Sequence, residues 1–245
     1  MSLQGQWNMP VSAILCLKLF AFLSTIRDPV AAETRTVTAD QALKAPAVYK
    51  WFLGADYRDV WIAPIEVEVL DMQQEAGGLR PLFRVGGLQT YGLAMAGADG
   101  KSYTFRSLVK DLGHALPEDF REYLADDVVQ DQLSSAHPAT PLMVPPLAAA
   151  AGVLHNVPRL VIMPDDPALG EFRELFAGRL GTFEQFPTPA SDQYAGFNGA
   201  TEILSSADMW QRMLDDPGTR IDVKAFLRAR LLDFFLGDWD RHARQ

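Results

Sequence analysis

The sequence predicts an α+β fold on three observations. Between residues 61 and 110 apolar residues recur with period two and are separated by glycine turns, the pattern of a small antiparallel sheet. Beyond Pro117 the apolar period lengthens to that of a helix. Two longer helical segments then close the chain.

Taken in order, the N-terminus carries an apolar run, Val11 to Leu23, of the length of a signal-peptide core and too short for a spanning helix, which needs roughly 20 apolar residues. Val30-Ala31-Ala32 supplies the small side chains of a cleavage site, so residues 1–32 are expected to be a removable leader, with Glu33 as the first mature residue and an exported product. No Lys or Arg precedes the run and Lys18 interrupts it, which keeps a buried N-terminal helix open as the other reading. The single cysteine, Cys16, lies inside this run, so the mature chain would be cysteine-free and export would owe nothing to disulfides.

Residues 33 to 57 mix polar and apolar positions without a period and read as a helical or irregular lead-in. In Ile65-Glu66-Val67-Glu68-Val69 the alternation fits a strand with one buried face. Pro81 to Val85, the loop Gly86 to Gly92, Leu93 to Ala96, the turn Gly97-Ala98-Asp99-Gly100 and Lys101 to Val109 follow as strand, loop, strand, turn and strand, with Asp-Gly as the hairpin signal. Pro117-Glu118-Asp119 opens a helix expected to run through Ser135, with Phe120, Leu124, Val128 and Leu133 near helical spacing. A short helix is expected over Val144 to Ala151, stopped by Gly152, with Pro145-Pro146 as loop punctuation. Leu160 to Met163 and Arg179 to Phe186 read as strands, and 187 to 199, rich in Pro, Gly, Ser and Asn, as a loop. Helices over Ala200 to Leu214 and Asp222 to Leu236 complete the chain, and the second is apolar enough to be expected in a buried position.

Composition narrows the function classes. The chain has 245 residues, 48% hydrophobic and 22% charged, so it can bury a real core, and its net charge of -9 argues against a nucleic-acid or anionic-membrane partner, which is held through Lys and Arg. No stretch of the mature chain is expected to span a membrane. His114, His137 and His155 have no metal spacing with one another and read as structural or surface residues.

The most specific chemistry lies in the last ten residues. An apolar helix ending in Gly237 delivers Asp238-Trp239-Asp240-Arg241-His242 into a loop, which gathers two carboxylates, a guanidinium and an imidazole at the exit of the core. Desolvating such a cluster is costly, so it is a functional candidate. The other reading is a solvated helix end with ion pairs three and four residues apart.

The segment resembles the catalytic loop of atypical kinases with an Asn-x-Asp-Arg-His-x-x-Asn pattern, the HipA-like, phosphoinositide-lipid, CotH-like and secretory-pathway kinases. The resemblance implies Asp240 as the catalytic residue that orients the acceptor hydroxyl, and Gln245 as the metal-side residue. Asp238 and Gln245 each stand where those families have Asn. A kinase N-lobe also needs a phosphate-covering loop, a cation on the next strand, a carboxylate to pin it and a hinge strand, and the order here is the same. The resemblance thus assigns Gly86 and Gly87 to the phosphates, Arg106 or Lys110 to charge neutralisation, Asp131 to pinning the cation, and Glu184 to the hinge nearest the adenine. Period-two alternation places Arg106 and Lys110 on one face.

On this resemblance residues 33–186 form an N-lobe-like α+β region with an antiparallel sheet and helix, and 187–245 the first helices of a C-lobe. The implied ligands are ATP or another nucleotide with Mg²⁺ or Mn²⁺, and the implied partner is a hydroxyl acceptor of phosphate. A kinase-like fold would need a further metal-binding Asp after Gln245, so the chain is expected to be a fragment that binds nucleotide weakly without turnover. The alternative is an exported, non-catalytic binding or scaffold domain of the same shape. A third possibility, a metal-dependent hydrolase built on Asp238, Asp240 and His242, lacks an obvious set of upstream ligands.

Overall fold

A computed structural model describes residues 32–86, 89–112 and 129–238. Seven strands, β1 (Thr34–Thr38), β2 (Pro64–Val69), β3 (Leu79–Val85), β4 (Gly92–Gly97), β5 (Ser102–Ser107), β6 (Arg159–Ile162) and β7 (Leu180–Phe186), form one sheet in the order β1-β2-β6-β7-β5-β4-β3. Only β2 and β6 run parallel; every other pair is antiparallel. Helices α1 (Ala47–Leu53), α2 (Arg58–Trp61), α3 (Thr140–Ala151), α4 (Arg173–Phe176), α5 (Ser206–Asp215) and α6 (Val223–Leu236) accompany the sheet, so the fold is α+β. The chain from Thr34 onward is one compact unit. The leader-like run, Val11 to Leu23, lies outside the described residues.

The meander β3-β4-β5 follows from local turn chemistry. At the β4–β5 hairpin Gly100 takes φ +79°, and Asp99 accepts from the Lys101 amide at 3.1 Å and the Tyr103 hydroxyl at 2.7 Å. Alternation then sorts side chains between the two faces. Leu79, Leu93, Met95, Phe105, Val161 and Phe183 meet Leu169 and Phe176 from the segment Pro167–Phe176, which lies over this face. Phe105 meets Phe176 edge to face at 6.1 Å, and Tyr103 stacks on Phe183 at 5.2 Å.

On the opposite face Val67, Val69 and Ile162 form one cluster with Ile65 and Leu160, and Trp61, Leu43 and Leu133 form another. The acid–apolar alternation of β2 is thereby explained: its valines are buried here, while Glu68 on the other side pairs with Arg159 at 3.0 Å. Because Phe105 and Phe183 point into the first core, Thr104, Arg106, Thr182 and Glu184 share this second face.

Several boundaries differ from expectation. The lead-in contains β1, whose β-branched residues Thr34, Thr36, Val37 and Thr38 pair with β2 at the sheet edge. Most of the helix expected over 117–135 falls at 113–128, outside the described residues; Val129–Asp131 is helical and passes into a 3-10 turn at Gln132–Ser135. Pro145 and Pro146 are not loop punctuation but lie inside α3, which starts four residues early at Thr140 and ends at Gly152 with φ +64°. Pro141 pre-sets the first turn, where missing N–H groups cost least, and the left-handed glycine closes the helix as expected.

The expected burial of α6 is overturned. Phe226, Leu227, Leu231, Phe234 and Phe235 are exposed, and the one buried side chain is Asp233. Apolar residues run around the whole helix, and packing against α3 occupies only one side. Among the described residues no helix is long and apolar enough to cross a membrane.

Candidate functional site

Arg106 sits on β5 opposite Thr182 of β7 and opposite Gly92 of β4. Two positions along, Thr104 lies directly opposite Glu184. The diagonal between them brings Arg106 Nε to 3.8 Å from Glu184 Oε1. This is a loose pair on a half-exposed surface, and Arg106 retains most of its donors. Burial pushes the Glu184 carboxyl above its ordinary value, while the Arg106 charge and a hydrogen bond from Asn156 pull it back. Beside this pair the Thr104 hydroxyl is enclosed without a partner, and so is Asn156 Oδ1.

The glycine loop meets the sheet at the same place. Gly86 takes φ +108°, and a Cβ there would stand 2.7 Å from the Thr90 carbonyl oxygen. At the other end a Cβ on Gly92 would come within 2.4 Å of the Val85 carbonyl oxygen. Both glycines are therefore demanded by close backbone approach. The far side of the loop is tied down: the Ser107 amide donates to Tyr91 O at 2.8 Å, and the Asp111 amide donates to Gln89 O at 2.8 Å. The loop base thus stands beside the strand cation. Gly87 lies outside the described residues.

Glu184 also lines a cleft of about 800 Å³. Its other walls are α3, the segment Val153 to Pro158, Phe197 with Ile203, and the inner side of α6. At the end of α6, Gly237 adopts φ +69° and donates back to Asp233 O and Phe234 O. That turn brings Asp238, the first residue of the Asp-x-Asp-Arg-His segment, to the cleft wall. On the inner side of α6, Arg230 Nη2 meets Asp233 Oδ2 at 2.7 Å. Asp240 and Gln245 lie outside the described residues, as do Arg241 and His242. Among the described residues no group of three or more His, Cys, Asp or Glu side chains is placed to hold a metal ion.

Two expected site residues stand elsewhere. Asp131 does not pin Arg106: both of its oxygens are taken by Arg58, at 2.6 and 2.5 Å. Arg58 is fully enclosed, donates from Nε to Gly54 O at 3.1 Å and lies 5.5 Å from the Tyr49 ring centroid. The Asp131 hydrogen bonds raise its pKa further above the ordinary arginine value. Asp131 therefore fastens α2 to the 129–135 segment. Lys110 does not share the Arg106 face, because β5 ends at Ser107, whose hydroxyl donates to Val109 O at 2.9 Å and draws the chain away from strand alternation. Lys110 is exposed and its carbonyl accepts from Gln130.

Glu184 thus takes the place beside Arg106 that Asp131 was expected to hold, and Asn156 and Thr104 join them without having been foreseen. The signal for Thr104 was present in the alternation, two residues before Arg106. Asn156 sits in an aperiodic stretch with no such signal. His137 and His155 are structural: the His137 ring accepts from the Ala139 amide and meets Tyr57 edge to face, and His155 Nδ1 bonds Val153 O. No protein-family model, curated protein or solved structure matches the chain.

Proposed function

We propose that this chain is a kinase-like phosphotransferase domain that binds a nucleotide with a divalent metal and serves phosphoryl transfer to a hydroxyl acceptor. One observation carries the reading. The Arg106–Glu184 pair stands at the base of the glycine loop, and Glu184 lines the same cleft as Asp238, the first residue of the Asp-x-Asp-Arg-His segment. These pieces are distant in sequence and of the types that phosphoryl transfer requires: donors for phosphate oxygens, a held cation and a carboxylate for the acceptor.

In this reading Arg106 neutralises phosphate oxygens while Glu184 limits the swing of its guanidinium. Gly86 and Gly92 let the loop fold closely on itself, where a Cβ would strike the Thr90 and Val85 carbonyl oxygens, and its amides are offered to the phosphates. Asp240 orients the acceptor hydroxyl. The metal supplies charge neutralisation when bound, with Gln245 on its side. Export on residues 1–32 belongs to the same proposal.

The engagement of Asp131 by Arg58 favours the non-catalytic binding domain as a second reading, since among the described residues it leaves Arg106 without a helix carboxylate. Titrating the chain with ATP and Mn²⁺ in a thermal-unfolding assay tests the nucleotide site. Nucleotide at 100 times its dissociation constant is expected to add about 2.7 kcal/mol of stability, and Arg106→Ala is expected to weaken binding at least about tenfold. Absence of any shift would overturn the nucleotide reading and leave the scaffold.

A further inference from the structure

The two edges of the sheet are guarded differently. At one edge β3 carries Pro81, which has no N–H to offer, a register shift between Pro81 and Phe83, and exposed Arg80 and Arg84. These are the devices that keep an edge strand from pairing with another chain. At the other edge β1 lacks proline and bulge alike. Its residues Thr34-Arg35-Thr36-Val37-Thr38 pair with β2 in an unbroken register, all but Arg35 are β-branched, and Arg35 is the one charge. Thr34, Arg35 and Thr36 are exposed, and among the described residues no backbone group outside β2 bonds to this strand. Alternate N–H and C=O groups of β1 therefore face outward, and what satisfies such a row is an extended peptide strand.

We propose that β1 is a self-association edge: a second copy of this chain adds its own β1 antiparallel across a two-fold axis and extends the sheet. The residues along the strand point to a second copy. Continuing the alternation by one residue puts Glu33 on the face of Arg35 and Val37. When Thr34 of the two copies stand opposite each other, Glu33 of each falls opposite Arg35 of the other. That register flanks a threonine pair with two opposite-charge pairs, each repeated by the symmetry. Centring the pairing on Arg35 would set two arginines together, and centring it on Thr36 would set Arg35 against Val37 and forfeit both charge pairs. In the sheet order β2 and β6 stand between β1 and β7, so the association uses neither Glu184 nor Arg106 and does not depend on the nucleotide reading.

The test is sedimentation equilibrium of the full chain under reducing conditions, at a concentration on the order of 100 µM, because two short strands bury less than a standard interface. The wild type is expected to show a mass above the 27.1 kDa of one chain, in a monomer–dimer equilibrium. Arg35→Glu sets like charges opposite each other, as does Glu33→Arg, and each is expected to weaken the dimer at least about tenfold. Mixed in equal amounts, the two variants regain opposite charges at both positions and are expected to form a heterodimer as tight as the wild-type dimer. An effect confined to the folding of one chain cannot produce that recovery. A second measurement needs no charge change: in a Cys16→Ser background, Thr34→Cys is expected to form a disulfide between copies and Thr36→Cys is not. Opposed residues lie about 4.5–5.5 Å apart, and a disulfide spans at most about 7 Å between Cα atoms. A wild-type mass of one chain would overturn the proposal. So would a dimer that survives both single substitutions, which another face would hold, or a mixture of the variants that stays monomeric. Cross-linking at position 36 in place of 34 would overturn the charge-paired register.

Discussion

Two arginine–carboxylate pairs in the same unit show how one pair of residue types serves opposite ends. Arg58 and Asp131 form a bidentate clasp at 2.5 to 2.6 Å, with side chains 1% and 10% exposed. Arg106 and Glu184 stand 3.8 Å apart, with side chains 42% and 21% exposed. In the first pair the Asp131 oxygens meet guanidinium donors in fork geometry, the Arg58 Nε donates to a backbone carbonyl, and at 1% exposure the remaining donors are out of reach of a ligand. In the second the geometry is loose and donors remain. A tight, dry pair joins segments of the chain; a loose pair at the rim of a cleft is available for chemistry.

The largest expected effect comes from breaking the clasp. Arg58→Met leaves the Asp131 carboxylate enclosed without its cation and should cost about 3–5 kcal/mol in denaturant unfolding. The double variant Arg58→Met with Asp131→Leu should recover much of that loss, because an apolar pair of similar volume carries no desolvation penalty. By contrast Arg106→Ala should change stability by less than about 1 kcal/mol while weakening nucleotide binding. A stability loss for Arg106→Ala as large as that for Arg58→Met would erase the distinction between the two pairs.

Between these lies the glycine loop. Gly86→Ala must adopt φ +108° and place a Cβ 2.7 Å from a backbone oxygen, which no rotamer change relieves. The expected cost is about 1–3 kcal/mol, with weaker nucleotide binding because the base of the loop beside Arg106 moves. Retained stability and affinity in Gly86→Ala would separate the loop from the site.

How much of this was legible in the sequence depends on the range of the interaction. The meander from Leu79 to Ser107 is local: alternation and the Asp99-Gly100 turn encode it, and the positions of Arg106 on a strand and Gly86 in the loop before it were legible on that basis. The partner of Asp131 lies 73 residues away, and nothing in the aperiodic stretch around Arg58 announces it. Glu184 was placed on its strand from the sequence but not as the counter-charge of Arg106, since that follows from the β5–β7 register. Lys110 was misplaced because period two was carried past the point where the Ser107 side chain ends the strand. For α6, apolar composition states a demand for burial without saying what meets it, so Phe234 and Phe235 face outward while Asp233 faces in.

The smallest effect decides which force dominates at Glu184. Its carboxyl is raised from an ordinary value of 4.5, with burial as the largest cause and the attraction of Arg106 opposing it. The folded chain therefore holds this proton more tightly than the unfolded chain, and stability falls as pH rises between the ordinary value and the raised one. Above the raised value the penalty is constant, and below the ordinary value it vanishes. Glu184→Gln cannot titrate, so relative to this variant the wild type should lose stability on going from about pH 4 to about pH 8. Denaturant midpoints measured for both proteins across that range check the sign. If the wild type instead gains stability relative to Glu184→Gln as pH rises, the Arg106 charge outweighs desolvation and the pair is a tighter clasp than its 3.8 Å separation indicates.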